Sequence, residues 1–207
     1  MFYLFVYHIV AKLIVLPYVR LFNRLEITGL DRIPDDGPAV IIANHVSMWD
    51  PVLMYCLVRK RTWFMAKSEL FKIPVLSAVL KRICVFPIKR DSIDRTAIRK
   101  ATQVLEEGCL LIVFPEGHRS RTREMLPFKQ GAAMFAHRAK VPVYPVFFDN
   151  TRMIFPKSFR KRVRVTFGEP IDLSAFMEEK VNSALLKEMT EEFRKSLELL
   201  QEKGLNG

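Results

Sequence analysis

The sequence predicts an α/β fold: a single domain with a largely parallel, mixed sheet flanked by helices, behind an N-terminal apolar helical segment. Three observations carry this. Short continuous apolar runs, "AVIIAN" at residues 39–44, "ICVFPIKR" at 83–90 and "CLLIVF" at 109–114, read as strands buried on both faces. Stretches with helical periodicity separate them, and such alternation is the pattern of parallel crossover units. The first nineteen residues, "MFYLFVYHIVAKLIVLPYV", form the most hydrophobic segment and stand apart from that alternation.

In chain order, the opening segment has neither the basic start nor the small-residue cleavage site of a signal peptide. Pro17, His8 and Lys12 also make it a poor membrane span. His8 and Lys12, four apart, share one helical face, and the rest of the circumference is apolar. A helix apolar nearly all round must be buried in something. A membrane interface is the favoured expectation, with the polar stripe toward headgroups; the domain's own core is the alternative. Residues 1–23 are therefore set apart as a membrane-associating segment, and residues 24–207 as the α/β domain.

"RLEITG" at 24–29 alternates like an edge strand, and "DRIPDDGP" at 31–38 is turn chemistry. After the strand at 39–44, Asp50 is placed to cap a helix with Pro51 at its first position. "TWFMAK" at 62–67 is a second strand and "PVLSAVLKR" at 74–82 a short helix. Residues 92–107 form the clearest amphipathic helix, with Ile93, Ala97, Ala101, Val104 and Leu105 on one side and Gly108 placed to end it. "GAAMFAHRAK" at 131–140 is helical. "VPVYPVFF" at 141–148 is a strand whose two prolines place it near an edge or interrupt it. "RVRVTFGEP" at 162–170 alternates, and 182–203 is a polar helix with one stripe of leucines, Met189 and Phe193.

The bulk numbers narrow the partners. A net charge of +11 over 207 residues expects an anionic partner. The pI is about 9.8, but no helix-turn-helix, zinc-finger or RNA-binding pattern is evident, so nucleic acid is not the expected partner. Three scattered cysteines in apolar runs argue against a disulfide framework, and without a CxxC pair a structural zinc site is not expected.

Ligands of parallel α/β sheets gather at the carboxyl ends of the strands. There the sequence places Asn44-His45, Lys67, Lys89-Arg90 and Pro115-Glu116-Gly117. His45 can take a proton from a hydroxyl, and Asp50 can hold its tautomer if a turn brings them together. By spacing alone the pair is a weak signal, since a capping role also satisfies Asp50. "FPEGHRSRTREMLPFKQG" at 114–131 joins a strand end to Arg119, Arg121, Arg123 and Lys129, which suits a phosphate but also an ordinary solvated loop. Lys67 and Arg90, taken singly, read as surface charges. The basic cluster at 157–165 reads as a surface face or an anionic-lipid contact. Ser47 lacks a nucleophile-elbow context and suits hydrogen bonding.

Together, "NHVSMWD", "VFPIKR", "FPEGHRSR" and "VPVYPV", in this order over residues 44–146, resemble the four blocks of the glycerolipid acyltransferase family, especially its small bacterial lysophosphatidate acyltransferases. "AKSELFKIPVL" and "FKQGAA" are similar to the family's connecting segments. His118 stands where threonine is common. The resemblance implies that His45 is the general base for the sn-2 hydroxyl of 1-acyl-glycerol-3-phosphate, oriented by Asp50, in direct transfer without an acyl-enzyme. It implies that Arg90, Glu116, Gly117 and Arg119 form the acceptor site, with the arginines on the phosphate and Lys67 as a further contact. Pro142 and Pro145 would shape the fourth block. The implied donor is acyl-CoA or acyl-carrier protein, and no cofactor or metal is implied. The implied partners are lysophosphatidate and an anionic membrane surface, at the cytoplasmic face of the inner or plasma membrane. Alternatives are a sibling enzyme acting on glycerol-3-phosphate, another lysophospholipid or an amino-acid lipid, and a non-catalytic anionic-lipid-binding protein.

Overall fold

In a computed structural model, residues 2–89, 94–122 and 124–205 are described, with side chains from residue 12 to 204 within those ranges. The elements run α1 (Phe2–Phe22), β1 (Arg24–Thr28), β2 (Ala39–Ala43), α2 (Trp49–Leu57), β3 (Thr62–Lys67), α3 (Pro74–Arg82), β4 (Val85–Ile88), α4 (Arg95–Glu106), β5 (Leu110–Val113), α5 (Gly131–Ala139), β6 (Val143–Asp149), β7 (Arg162–Phe167), α6 (Ser174–Met177) and α7 (Ser183–Leu205).

The seven strands lie in the order β1-β7-β6-β2-β5-β3-β4. From β6 to β4 every neighbour is parallel, with Ile41 opposite Ile112 and Tyr144 at the centre. β7 joins antiparallel to β6, and β1 closes the edge parallel to β7. The sheet is thus largely parallel and mixed. The two continuous apolar runs at its centre, Ala39–Ala43 and Leu110–Val113, are buried throughout because both faces are covered. One core joins the sheet to α4, α5 and α7. The other, on the opposite face, joins it to α1, α2 and the inner side of α3.

Four expectations change on folding. β4, read as a buried strand, is the sheet edge, and its second half is uncovered. β6, read as an edge or interrupted strand, is internal. The Val40 N–H bonds to the Pro142 carbonyl and the Gly168 N–H to the Pro145 carbonyl, so alternate positions of β6 face β2 and β7 in turn. Pro145 faces Gly168, one residue past the end of β7, so the N–H that it lacks falls at the end of that pairing. The helix expected from residue 92 begins at Arg95, because the Asp94 carboxylate accepts the Thr96 and Ala97 N–H groups and caps it; Ile93 lies outside the described residues. Asp50 is not a cap: Met48 is, and Asp50 sits in the first turn of α2.

The described part of α1 is divided. Val19 is fully buried, and Val15, Leu16 and Tyr18 pack on the same core. Leu13, Ile14 and Leu21 are exposed. Among the described residues no helix is long and apolar enough to cross a membrane. The three cysteines are buried and unpaired, and burial raises the Cys56 thiol to about 11.

Candidate active site

β2 and β5 are adjacent and parallel, and their connections leave to opposite faces, α2 to one and α5 to the other. Their carboxyl ends therefore open a crevice at a switch point of the sheet. His45 stands on the loop after β2, and Glu116 on the loop after β5.

Side chains replace backbone pairing where the strands end. Asn44 is buried past the last β2 residue; its amide donates to the Phe148 carbonyl at 3.0 Å and accepts the Phe148 N–H at 2.7 Å. That anchors the chain where the strand ends and the next residue, His45, leaves the sheet. The chain then turns and enters α2. Asp50, in its first turn, points back across the loop it has just left. Its Oδ2 accepts the Val46 and Ser47 N–H groups at 2.8 and 2.7 Å and lies 2.9 Å from His45 Nδ1. Its Oδ1 accepts the Thr151 hydroxyl at 2.5 Å. The five-residue spacing, which would diverge on a straight helix, works because the loop folds over the helix start.

An ionised carboxylate only accepts, so the neutral imidazole carries its proton on Nδ1 and keeps the Nε2 lone pair. Asp50 is fully buried, and His45 is nearly so, stacked on Phe114 with ring centroids 4.3 Å apart. Nε2 has no hydrogen-bond partner among the described residues. This arrangement suits a general base acting on a bound hydroxyl.

Glu116 is buried rather than presented to a ligand. One oxygen accepts the His45 N–H at 2.7 Å and the other the Leu126 N–H at 2.9 Å. It clamps the His45 loop to the loop after β5. Burial outweighs these bonds and raises its pKa above the ordinary value of 4.5. Gly117 adopts φ +71°, the left-handed region that favours glycine, and a Cβ there would press on the Lys129 side chain at 3.2 Å. Arg119 follows on the same loop, exposed and without an ion pair among the described residues. Lys67 ends β3 at the same edge of the sheet and pairs with Glu69 at 3.1 Å. Arg90 lies outside the described residues. Ser47 accepts the Trp49 N–H at 3.2 Å, a hydrogen-bonding role. His118 is exposed, and His137 contacts the Glu179 carbonyl at 3.1 Å, away from the crevice. Among the described residues no three His, Cys, Asp or Glu side chains converge as metal ligands would.

Sequence reasoning missed Thr151 and Arg152. Both follow β6, more than a hundred residues from the motif they support. Thr151 is fully buried. Arg152 donates to the carbonyls of Val46, Ser120 and Arg121 and so ties together the loops after β2 and β5. Only the return of β6 beside β2 brings them in; "DNTRM" itself reads as a plain turn.

The fold and site define an α/β protein with a buried histidine–carboxylate pair at a switch point of its parallel sheet and cations on the surrounding loops. Residues 24–149 match the family described as Acyltransferase, and the chain belongs to that family. It is 32% identical over 175 residues to a 1-acyl-sn-glycerol-3-phosphate acyltransferase of Haemophilus influenzae, covering 78% of this chain and 73% of that one. It is 33% identical to the enzyme of that name from Streptococcus pneumoniae, over 81% of this chain and 63% of the relative. A chloroplastic relative from Brassica napus is 31% identical, but only 44% of its length is spanned. The crystal structure of the 1-acyl-sn-glycerophosphate acyltransferase PlsC from Thermotoga maritima superimposes with a TM-score of 0.66 at 30% identity, covering 88% of this chain and 75% of that one.

Proposed function

We propose that the protein transfers a fatty acyl group from an acyl thioester to the sn-2 hydroxyl of 1-acyl-sn-glycerol-3-phosphate, giving phosphatidic acid. The observation that carries this is His45, with Nδ1 held by buried Asp50 and Nε2 unengaged; the names of the relatives supply the substrates. His45 Nε2 takes the hydroxyl proton as the oxygen attacks the thioester carbonyl carbon. The C–S bond breaks, and the imidazolium returns the proton to the leaving thiolate, so one ester and one thiol form. Asp50 stabilises the transient imidazolium. The thioester is already activated, and the reaction uses no cofactor.

Arg119, with Arg90 and Lys67, binds the acceptor phosphate. Glu116 and Gly117 shape the loop that carries Arg119. The donor is acyl-CoA or acyl-carrier protein, both anionic partners for a chain of charge +11. The apolar face of α1 rests in the cytoplasmic leaflet of the inner or plasma membrane, where the acceptor resides.

The test is thiol release from palmitoyl-CoA in detergent, with and without 1-acyl-glycerol-3-phosphate, for wild type and His45→Ala. Acceptor-dependent release that the variant lacks is the expected result. Release with neither CoA nor carrier-protein donors, by folded protein, would leave a lipid-binding role in its place.

A further inference from the structure

Helix α3 is apolar on two sides: Leu80 packs inward on the core, and a second apolar stripe faces outward. Its one buried residue is Ser77, while Val75 and Val79, one turn apart on the outer side, are 78% and 45% exposed. Ile73, at its N-cap, is 53% exposed, and Leu70 just before it is exposed too. A helix on a soluble surface turns such a stripe inward, and a contiguous outward one marks an interaction site.

Its position gives the stripe meaning. β3 is parallel to β5, which is parallel to β2, so the Lys67 end of β3 lies at the same edge of the sheet as His45, and α3 starts from that edge. Other exposed apolar side chains crowd there from separate segments. Met48 stands at the N-cap position of α2, and Leu21 lies at the end of α1. Phe159 lies on the β6–β7 connection, which the Arg160 N–H ties to the Phe22 carbonyl of α1.

The charge around them is one-sided. Residues 67–82 hold Lys67, Lys72, Lys81 and Arg82 against Glu69 alone, and 155–161 hold Lys157, Arg160 and Lys161 with no acid. Apolar side chains set among cations fit an anionic bilayer, whereas the like charge opposes pairing with a second copy.

We infer that the Leu70–Val79 corner is a second membrane contact, across the mouth of the site from α1, which seats His45 against an anionic lipid surface. This deepens the membrane reading above and does not depend on the chemistry of transfer.

The experiment compares full-length wild type, a Val75→Asp/Val79→Asp variant and a Lys72→Gln/Lys81→Gln/Arg82→Gln variant. Each is sedimented with phosphatidylcholine vesicles containing or lacking phosphatidylglycerol. The aspartates, on exposed positions, should lower binding to anionic vesicles about tenfold or more. The glutamines should lower it about fivefold per charge on anionic vesicles only. Circular dichroism and detergent-phase thiol release should match wild type. Unchanged vesicle binding by the aspartate variant overturns the proposal. So does a wild-type dimer that the aspartates dissociate while vesicle binding persists. A wild type that binds anionic vesicles through these residues yet releases thiol from neither CoA nor carrier-protein donors supports this surface and removes the transfer reading.

Discussion

Asp50 is the residue on which the site's geometry converges. Its two oxygens accept from His45, Val46, Ser47 and Thr151, so it orients the base and also shapes the loop that holds it. Asp50→Ala should lower acceptor-dependent turnover about a thousandfold or more, as expected when a base loses the group that sets its tautomer. Thr151 acts through Asp50. Thr151→Val should leave the acceptor KM near wild type, lower kcat about tenfold and shift its pH profile, while Thr151→Ser restores both; a uniform loss with no pH shift and no rescue would mark a purely structural role. Glu116 invites a test of sign. Its folded pKa is raised by burial, so its contribution to stability is full below the unfolded value of 4.5 and is lost as pH rises through the folded value. Melting curves against Glu116→Gln, which does not titrate, should show the wild type losing ground to the variant as pH rises through that window.

At the scale of elements, α4 illustrates how a short polar contact sets a boundary. Asp94 accepts the Lys89 N–H as well as those of Thr96 and Ala97, and these bonds lower its pKa. Asp94→Ala should cost about 1 kcal/mol, lowering Tm by about 2–4 °C at neutral pH. The sign follows from the lowered value: the difference is present above the unfolded pKa and fades as pH falls through the folded one. β6 makes the opposite point. Two prolines would break an ordinary central strand, yet here one precedes it and the other turns its missing N–H to the β7 side, where that pairing ends. The same strand delivers Thr151 and Arg152 to the crevice, so its placement decides both the sheet and the site.

The whole molecule carries a net charge of +11. α4, α5 and α7 cover one side of the sheet, and α1, α2 and α3 cover the other, where most of the exposed apolar side chains gather. With acyl-CoA as donor, raising salt from low to physiological strength should raise the KM for both anionic substrates, since the screening length contracts to about 8 Å. The interior is closed to thiol reagents: Cys56, Cys84 and Cys109 are buried, and burial raises the thiols of Cys56 and Cys84. A disulfide reagent should titrate no thiol in the native protein and three on unfolding.

Local pattern determined much of this. Continuous β-branched runs bounded by turn residues have few alternatives to buried strands, so the parallel centre of the sheet and its helices were legible. So was the placement of His45, Lys67, Glu116, Gly117 and Arg119 at one edge of the sheet, because parallel strands deliver their ends there. What the sequence left open depended on contacts between distant segments. Whether Asp50 caps a helix or faces His45, that Glu116 bonds two loops together, and that Thr151 joins the pair were decided by tertiary structure alone. A hydrogen bond spanning a hundred residues leaves no periodicity in the chain; it exists only once the sheet has set β6 beside β2.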